Sequence, residues 1–394
     1  MTDTHRSSSP AVGQPTATAA DYLFTFSSEA YADASRRGMM RPPDRLLSTL
    51  LTSPEVRRLL VANPYRSWTT AWARAVLDHR HRFRPTPTRN VVSPLRFARA
   101  DPVDVPGIER VYTSWEAAVR RRADSLGLQS PRVVTASPLV AGFTDLGWTS
   151  SRVYYARDDW VSAPAYRRLW PAYEEAYRRI ADSGCAVAAV SQEIIDRIEP
   201  TGPYRVVPNG IEPEEWAGEA PEAPAWLEKI PSPRAIYVGT IDSRLDTDGL
   251  AALAQARPEL QVVLVGPVAD GPHISPLRGL PNIHLHGLIG RAEVVAALRN
   301  SELTLLAHRR TPLTEAMSPL KVYEYLAAGK PVLATDLGPV RGLDPRVLLA
   351  ERVEDFIDLV DTALAMGTAD ETERLAFIDE NTWTARHRDI LALA

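Results

Sequence analysis

Cysteine is almost absent: Cys185 is the only one in 394 residues. No intramolecular disulfide can form, which fits a reducing compartment. Cys185 stands in the apolar run CAVAAV and reads as a core residue. Long apolar runs are missing too. None reaches the roughly 18 residues that a transmembrane helix needs, and the N-terminus lacks the apolar segment of a signal peptide. The expected location is the cytoplasm. Neither sign of charge dominates: 45 Lys+Arg stand against 49 Asp+Glu, net −4, so nothing points to a nucleic-acid partner. No Gly-x-Gly-x-x-Gly follows a strand pattern, which counts against an NAD domain. No metal-ligand cluster is visible, and no cofactor is implied. Lysine is scarce, occurring only at Lys229, Lys321 and Lys330; arginine fills every other basic position.

What is present is an alternation. The length suffices for two domains with a core each. Residues 1–20, rich in Ser, Thr, Ala and Pro, read as a disordered tail. From DYLFTF (21–26) onward, apolar strand patterns alternate with amphipathic helical ones, the signature of a parallel α/β sheet. In residues 21–208 the expected strands are 22–26, 59–62, 90–92, 132–135, 152–156, 186–190 and 204–207. Helices are expected over 43–51, 107–126, 163–181 and 192–198. The run Arg120-Arg121-Arg122 reads as a solvated face or as a contact for anionic lipid. Residues 209–233, rich in Pro, Glu and Ala, read as an interdomain linker. The pattern restarts over 234–370, with strands at 235–239, 260–265, 283–286, 303–307 and 346–350. A last helix covers 371–394.

One stretch concentrates the chemistry: TEAMSPLKVYEYLAAGKPVLATD, 314–336. Ser318 is expected to cap a helix with Pro319 at its first position. Gly329 suits its C-terminal end, and 331–335 reads as a buried strand. The free N–H groups of Leu320 and Lys321, with the helix macrodipole, make an anion site, and Lys321 adds a point charge. A cation at a helix N-terminus opposes the dipole, which argues for an anionic partner. Glu324, on the same face, can accept two hydroxyl hydrogen bonds from a ribose diol. The competing reading is a solvated i,i+3 ion pair between Lys321 and Glu324.

The segment SPLKVYEYLAAGKPVLATD resembles the donor site of GT-B glycosyltransferases, specifically the bacterial group 1, family 4-like enzymes of surface-polysaccharide synthesis. The resemblance implies two Rossmann-like domains facing across a cleft, with a C-terminal helix crossing back to the first. It gives Leu320 and Lys321 to the donor diphosphate and Glu324 to the ribose. The family often carries two glutamates separated by seven residues; Ala316 stands at the first of those positions, so only the second, Glu324, is present. VVPNGI, ending at Ile211, resembles the close of the family's first domain.

Ligands of open parallel sheets bind beyond the strand C-termini. That rule selects further candidates. Gly239 permits close approach of the backbone, Thr240 can donate to a phosphate, and Arg244 can add a second charge. Backbone groups of Leu288 and Ile289 can read the edge of a base; the resemblance supports this region as the base pocket. Arg309 and Arg310 precede the central helix, and one of them, taken as Arg310, is expected to turn inward. In the first half RDDW gives Asp158, Asp159 and Trp160: paired carboxylates and an aromatic platform at a strand end, suited to sugar recognition. The competing role is a helix start with Asp159 or Ser162 as cap. The resemblance adds Arg41 to the acceptor side.

The expected function is sugar transfer from a nucleotide-linked donor, with uridine diphosphate as the carrier, to a glycan or lipid-linked acceptor. The expected route is metal-independent and retaining, with peripheral contact at the inner membrane surface. Lys321 and Arg244 would stabilise the leaving group. An inverting route with Asp158 or Asp159 as base stays open. So do two alternatives: a nucleotide-sugar 2-epimerase on the same fold, and a non-catalytic glycosyltransferase-like binding protein.

Overall fold

The computed structural model describes residues 19–77, 79–98, 102–269 and 271–394. Most of the expected tail, 1–18, lies outside the described residues, and Ala20 already belongs to the first strand. The strands are β1 (Ala20–Thr25), β2 (Val56–Ala62), β3 (Arg66–Ser67), β4 (Arg89–Val92), β5 (Leu95–Arg96), β6 (Arg132–Thr135), β7 (Ser151–Ala156), β8 (Ala186–Ala189) and β9 (Tyr204–Val206), then β10 (Arg234–Val238), β11 (Gln261–Val265), β12 (Ile283–His286), β13 (Leu303–Leu306), β14 (Val332–Thr335) and β15 (Val347–Ala350). Seven form one sheet in the order β4-β2-β1-β6-β7-β8-β9, and six form another in the order β12-β11-β10-β13-β14-β15. β3 and β5 pair apart from both.

The described pairings of both sheets are parallel; Tyr22 lies beside Leu59 on one side and Arg132 on the other, and Thr304 lies beside Val332. Parallel strands are covered by helices on both faces and so read as unbroken apolar runs. β8 and β14 are buried at every position. Cys185 is in the first domain's core, and burial raises its thiol pKa. The Val105–Ser125 helix turns Arg120, Arg121 and Arg122 to solvent. No described helix is long and apolar enough to cross a membrane.

In the first domain three short helices were not expected: Tyr31–Arg36, Trp68–Leu77 and Pro138–Phe143. The residues after β9 are more than a spacer. They contain the Pro213–Trp216 helix, and Trp216 and Leu227 are fully buried against the second domain. The C-terminal segment is two helices, Glu371–Glu380 and Trp383–Leu391. Thr382 caps the second, accepting from Ala385 N at 3.1 Å, and forms a parallel bridge with Ile211. Arg374 binds the first of these helices to the second domain through the carbonyls of Ala327 and Trp216, both at 2.8 Å. The other helix seats on the Pro42–Thr52 helix of the first domain, where Thr49 Oγ1 lies 2.7 Å from His387 Nδ1. The chain therefore crosses between domains twice, near Ile211 and near Thr382.

Candidate active site in the interdomain cleft

The floor of the second-domain side is built where β10 and β11 end. Gly239 (φ +149°) and Gly266 (φ +142°) end the two strands in a conformation that suits glycine. A Cβ on Gly266 would collide with the Gly239 carbonyl, and one on Gly239 would lie 2.8 Å from Lys321 Nζ. The second collision is with the end of a flexible side chain, so it is the backbone clash at Gly266 that fixes the tight packing of the two strand ends.

Lys321 enters this floor from the first turn of the Leu320–Ala327 helix. Its Nζ lies 3.9 Å from the centre of the Tyr237 ring and 3.3 Å from His308 Nε2. Tyr237 donates its hydroxyl to the Thr240 carbonyl at 3.1 Å. Burial, then the Arg244 charge, pulls the Lys321 pKa down to about 7. Burial, then the Lys321 and Arg244 charges, keep His308 neutral. Arg244 is oriented by Asp242, with Nη2 to Oδ2 at 2.6 Å. Lys321 thus has no carboxylate within salt-bridge reach among the described residues, and an incoming anion meets a cation that lacks a counter-ion.

Glu324 does not pair with Lys321. Its carboxylate takes Arg291 Nη1 at 2.6 Å, so the surface ion pair considered from sequence is not formed. Burial raises the Glu324 pKa, and Arg291 opposes that. Arg291 also donates to Glu215 Oε2 through Nε at 2.8 Å and Nη2 at 2.5 Å, and its guanidinium lies 5.3 Å from the Trp216 ring centre. Glu215 in turn reaches Arg45 of the first domain at 3.4 Å, and Arg45 also pairs with Glu212. Arg291 was missed in the sequence. It stands at the first position of its helix, a cation against the dipole like Lys321, so the same argument could have found it.

Ser318 does not cap the helix as expected. The helix begins at Leu320, and Pro319 occupies the cap without a side-chain bond. Ser318 is committed elsewhere: its carbonyl accepts Asn209 Nδ2 at 2.7 Å and its hydroxyl accepts Asn209 N at 3.4 Å. Leu288 holds its side chain 81% exposed, while Ile289 packs partly into the domain core. Arg310 is a correction. It donates to Glu315 at 2.9 Å and lines a different cavity, with Arg309 bound to Asp248. That cavity is also lined by His308, which contacts Lys321.

Across the cleft, a cavity of about 220 Å³ brings Arg41, Arg157 and Asp158 of the first domain to Arg244, Leu313 and Met317 of the second. Arg41 pairs with Glu29, and Arg157 holds Asp158 at 2.7 Å. Arg157, directly before the DDW triplet, was passed over in the sequence. Asp159 is a second correction: its side chain is 0% exposed, turned inward to Arg197 at 3.3 Å. Only Asp158 of the two can meet a ligand. Trp160 is buried, packed on Tyr166 and Tyr173 at 5.1 and 5.4 Å, and forms a wall rather than an open platform. Behind it the first domain holds a cavity of about 410 Å³.

Residues 232–366 match the family model described as Glycosyl transferases group 1. The second domain is a group 1 glycosyltransferase domain. The Bacillus subtilis (strain 168) protein TuaH, named as a teichuronic acid biosynthesis glycosyltransferase, is 32% identical over 103 residues, 26% of each chain. The chain thus matches about a quarter of the length of that curated relative. Solved structures extend the likeness to the whole fold. Sucrose-phosphate synthase from Thermosynechococcus elongatus superposes with a TM-score of 0.65 at 13% identity, over 95% of this chain and 98% of that one. Anabaena HepE in complex with UDP-glucose gives 0.58 at 14%, over 94% and 98%. The group 1 domain therefore sits in a GT-B architecture, two Rossmann-like domains across a cleft with a C-terminal segment crossing back.

Proposed function

We propose that the protein transfers a sugar from a uridine-diphosphate donor to a hydroxyl of a glycan or lipid-linked acceptor, with retention of configuration and without a divalent cation. The observation that carries this is Lys321, held without a counter-ion over Gly239 beside Arg244 at a helix N-terminus. As the bond from anomeric carbon to phosphate oxygen breaks, negative charge grows on the departing diphosphate. Lys321, Arg244 and the amides of Leu320 and Lys321 offset it, the cationic counterpart of an oxyanion hole. Glu324 accepts the ribose hydroxyls, and Asp158 orients the acceptor hydroxyl from the opposite wall. The group 1 domain and the UDP-glucose complex of HepE support the donor class.

Calorimetry tests the donor assignment. Lys321→Ala should weaken UDP by roughly one to two decades, about 1.5–3 kcal/mol, and leave uridine almost unchanged. Equal weakening of both ligands would overturn the phosphate role. Turnover of UDP-sugars with and without EDTA, with the product's anomeric configuration read by NMR, tests the remainder.

A further inference from the structure

The 410 Å³ cavity behind Trp160 leads away from the cleft. Pro64 and Arg66 line it and also line the next space, a groove of about 610 Å³. The groove is walled by Tyr31, Trp68, Trp72, Phe83, Val91 and Leu95. Trp68 and Trp72 stand one helical turn apart, 55% and 71% exposed. Leu95 and Phe97 flank the buried Arg96 and are 53% and 94% exposed. A water-facing surface rarely leaves such an apolar face open without a use.

Charge specifies that use. Among the described residues no carboxylate lines either space, whereas Arg66 and Arg96 line the cavity and Arg66 and Arg82 the groove. Arg66 is held at the junction by Asp33 Oδ2 at 3.2 Å and the Ser28 carbonyl at 3.4 Å. Arg80 and Arg84 are exposed nearby in sequence. The series from cleft to surface is therefore polar and aromatic, then lined by an arginine paired with Asp33, then apolar.

We propose that this series binds a lipid-linked acceptor: sugar beside Trp160, anionic linkage at Arg66, hydrocarbon chain in the groove of Trp68 and Trp72. The acceptor class is then a sugar carried on a phosphorylated lipid. This rests on the transfer reading above and names its acceptor.

Farnesyl phosphate is the probe, with farnesol and inorganic phosphate as comparison arms, followed by calorimetry and intrinsic tryptophan fluorescence. The wild-type chain should bind farnesyl phosphate at least about tenfold tighter than either comparison. Trp68→Ser and Trp72→Ser should each lose about tenfold for farnesyl phosphate with UDP affinity unchanged. Should a tryptophan variant melt early, Leu95→Ser, on a separate element, takes its place. Farnesol binding as tightly as farnesyl phosphate, or undiminished binding by the variants, overturns the proposal. Sedimentation with phosphatidylglycerol vesicles through these tryptophans, without farnesyl phosphate binding in solution, also overturns it and makes the face a membrane-docking surface. Failure of UDP to bind would remove the donor reading and leave the farnesyl phosphate result standing.

Discussion

Lys321 is where rarity and position combine. One of three lysines in the chain, it was legible because its charge opposes the helix dipole. Its environment was legible in part: the strand-end rule selected Gly239 and Arg244, whereas Tyr237 and His308, brought to it by the sheet, were not tied to it. That environment makes a prediction. With a pKa of about 7, Lys321 is mostly neutral at pH 8. A diphosphate beside it favours the charged form and raises that pKa. UDP binding at pH 8 should therefore take up a proton, seen as a dependence of the binding enthalpy on the buffer's ionisation heat. Lys321→Met should abolish the dependence. The adjacent pair Asp158–Asp159 shows the converse limit. RDDW marked a strand end correctly, but past the last strand residue no period fixes which side chain turns inward, and Arg197, which claims Asp159, lies on a different element.

At the level of elements, the sheets were legible and the first domain's small helices were not. The expected strand 132–135 matches β6, because parallel strands buried on both faces announce themselves as apolar runs, whereas 283–286 matches β12, a partly buried edge strand with the alternating sequence IHLH. Tyr31–Arg36 and Pro138–Phe143, at six residues each, are too short to show a period. The C-terminal helices were legible as helix but not as two; the break at Asn381–Thr382 comes from pairing with Ile211, a partner far away in sequence. His387, on the second of them, is held neutral, its pKa lowered to about 4 mainly by burial, with Arg45 adding. The unfolded chain binds this proton below about pH 6.5 and the folded one only below about 4. Stability should thus fall as pH drops through that window, by up to about 3 kcal/mol. His387→Gln should flatten this part of the curve in chemical denaturation at pH 4.5 and 7.

For the molecule as a whole, two covalent crossings and a chain of ion pairs link the domains. Arg45, Glu215, Arg291 and Glu324 run in sequence from a first-domain helix to the proposed ribose site. Domain closure on donor binding is the expected motion. Small-angle scattering should show a smaller radius of gyration with saturating UDP, and an unchanged profile would count against closure. The two-domain plan was legible from the restart of the strand–helix pattern after residue 233. The role of 209–233 was not, since its Pro and Glu content suggests a loose tether, whereas Trp216 anchors it.

The glycine pair at the strand ends has a consequence for redesign of the catalyst. At Gly266 any side chain would meet the backbone of Gly239, so this floor position is closed to diversification, and both glycines hold a φ that other residues rarely adopt. Gly287 and Gly290, on the loop proposed for the base, have open space where a Cβ would go. A library aimed at new donors should leave the floor invariant and vary the rim, where added side chains can discriminate among bases without disturbing the ground on which the diphosphate rests.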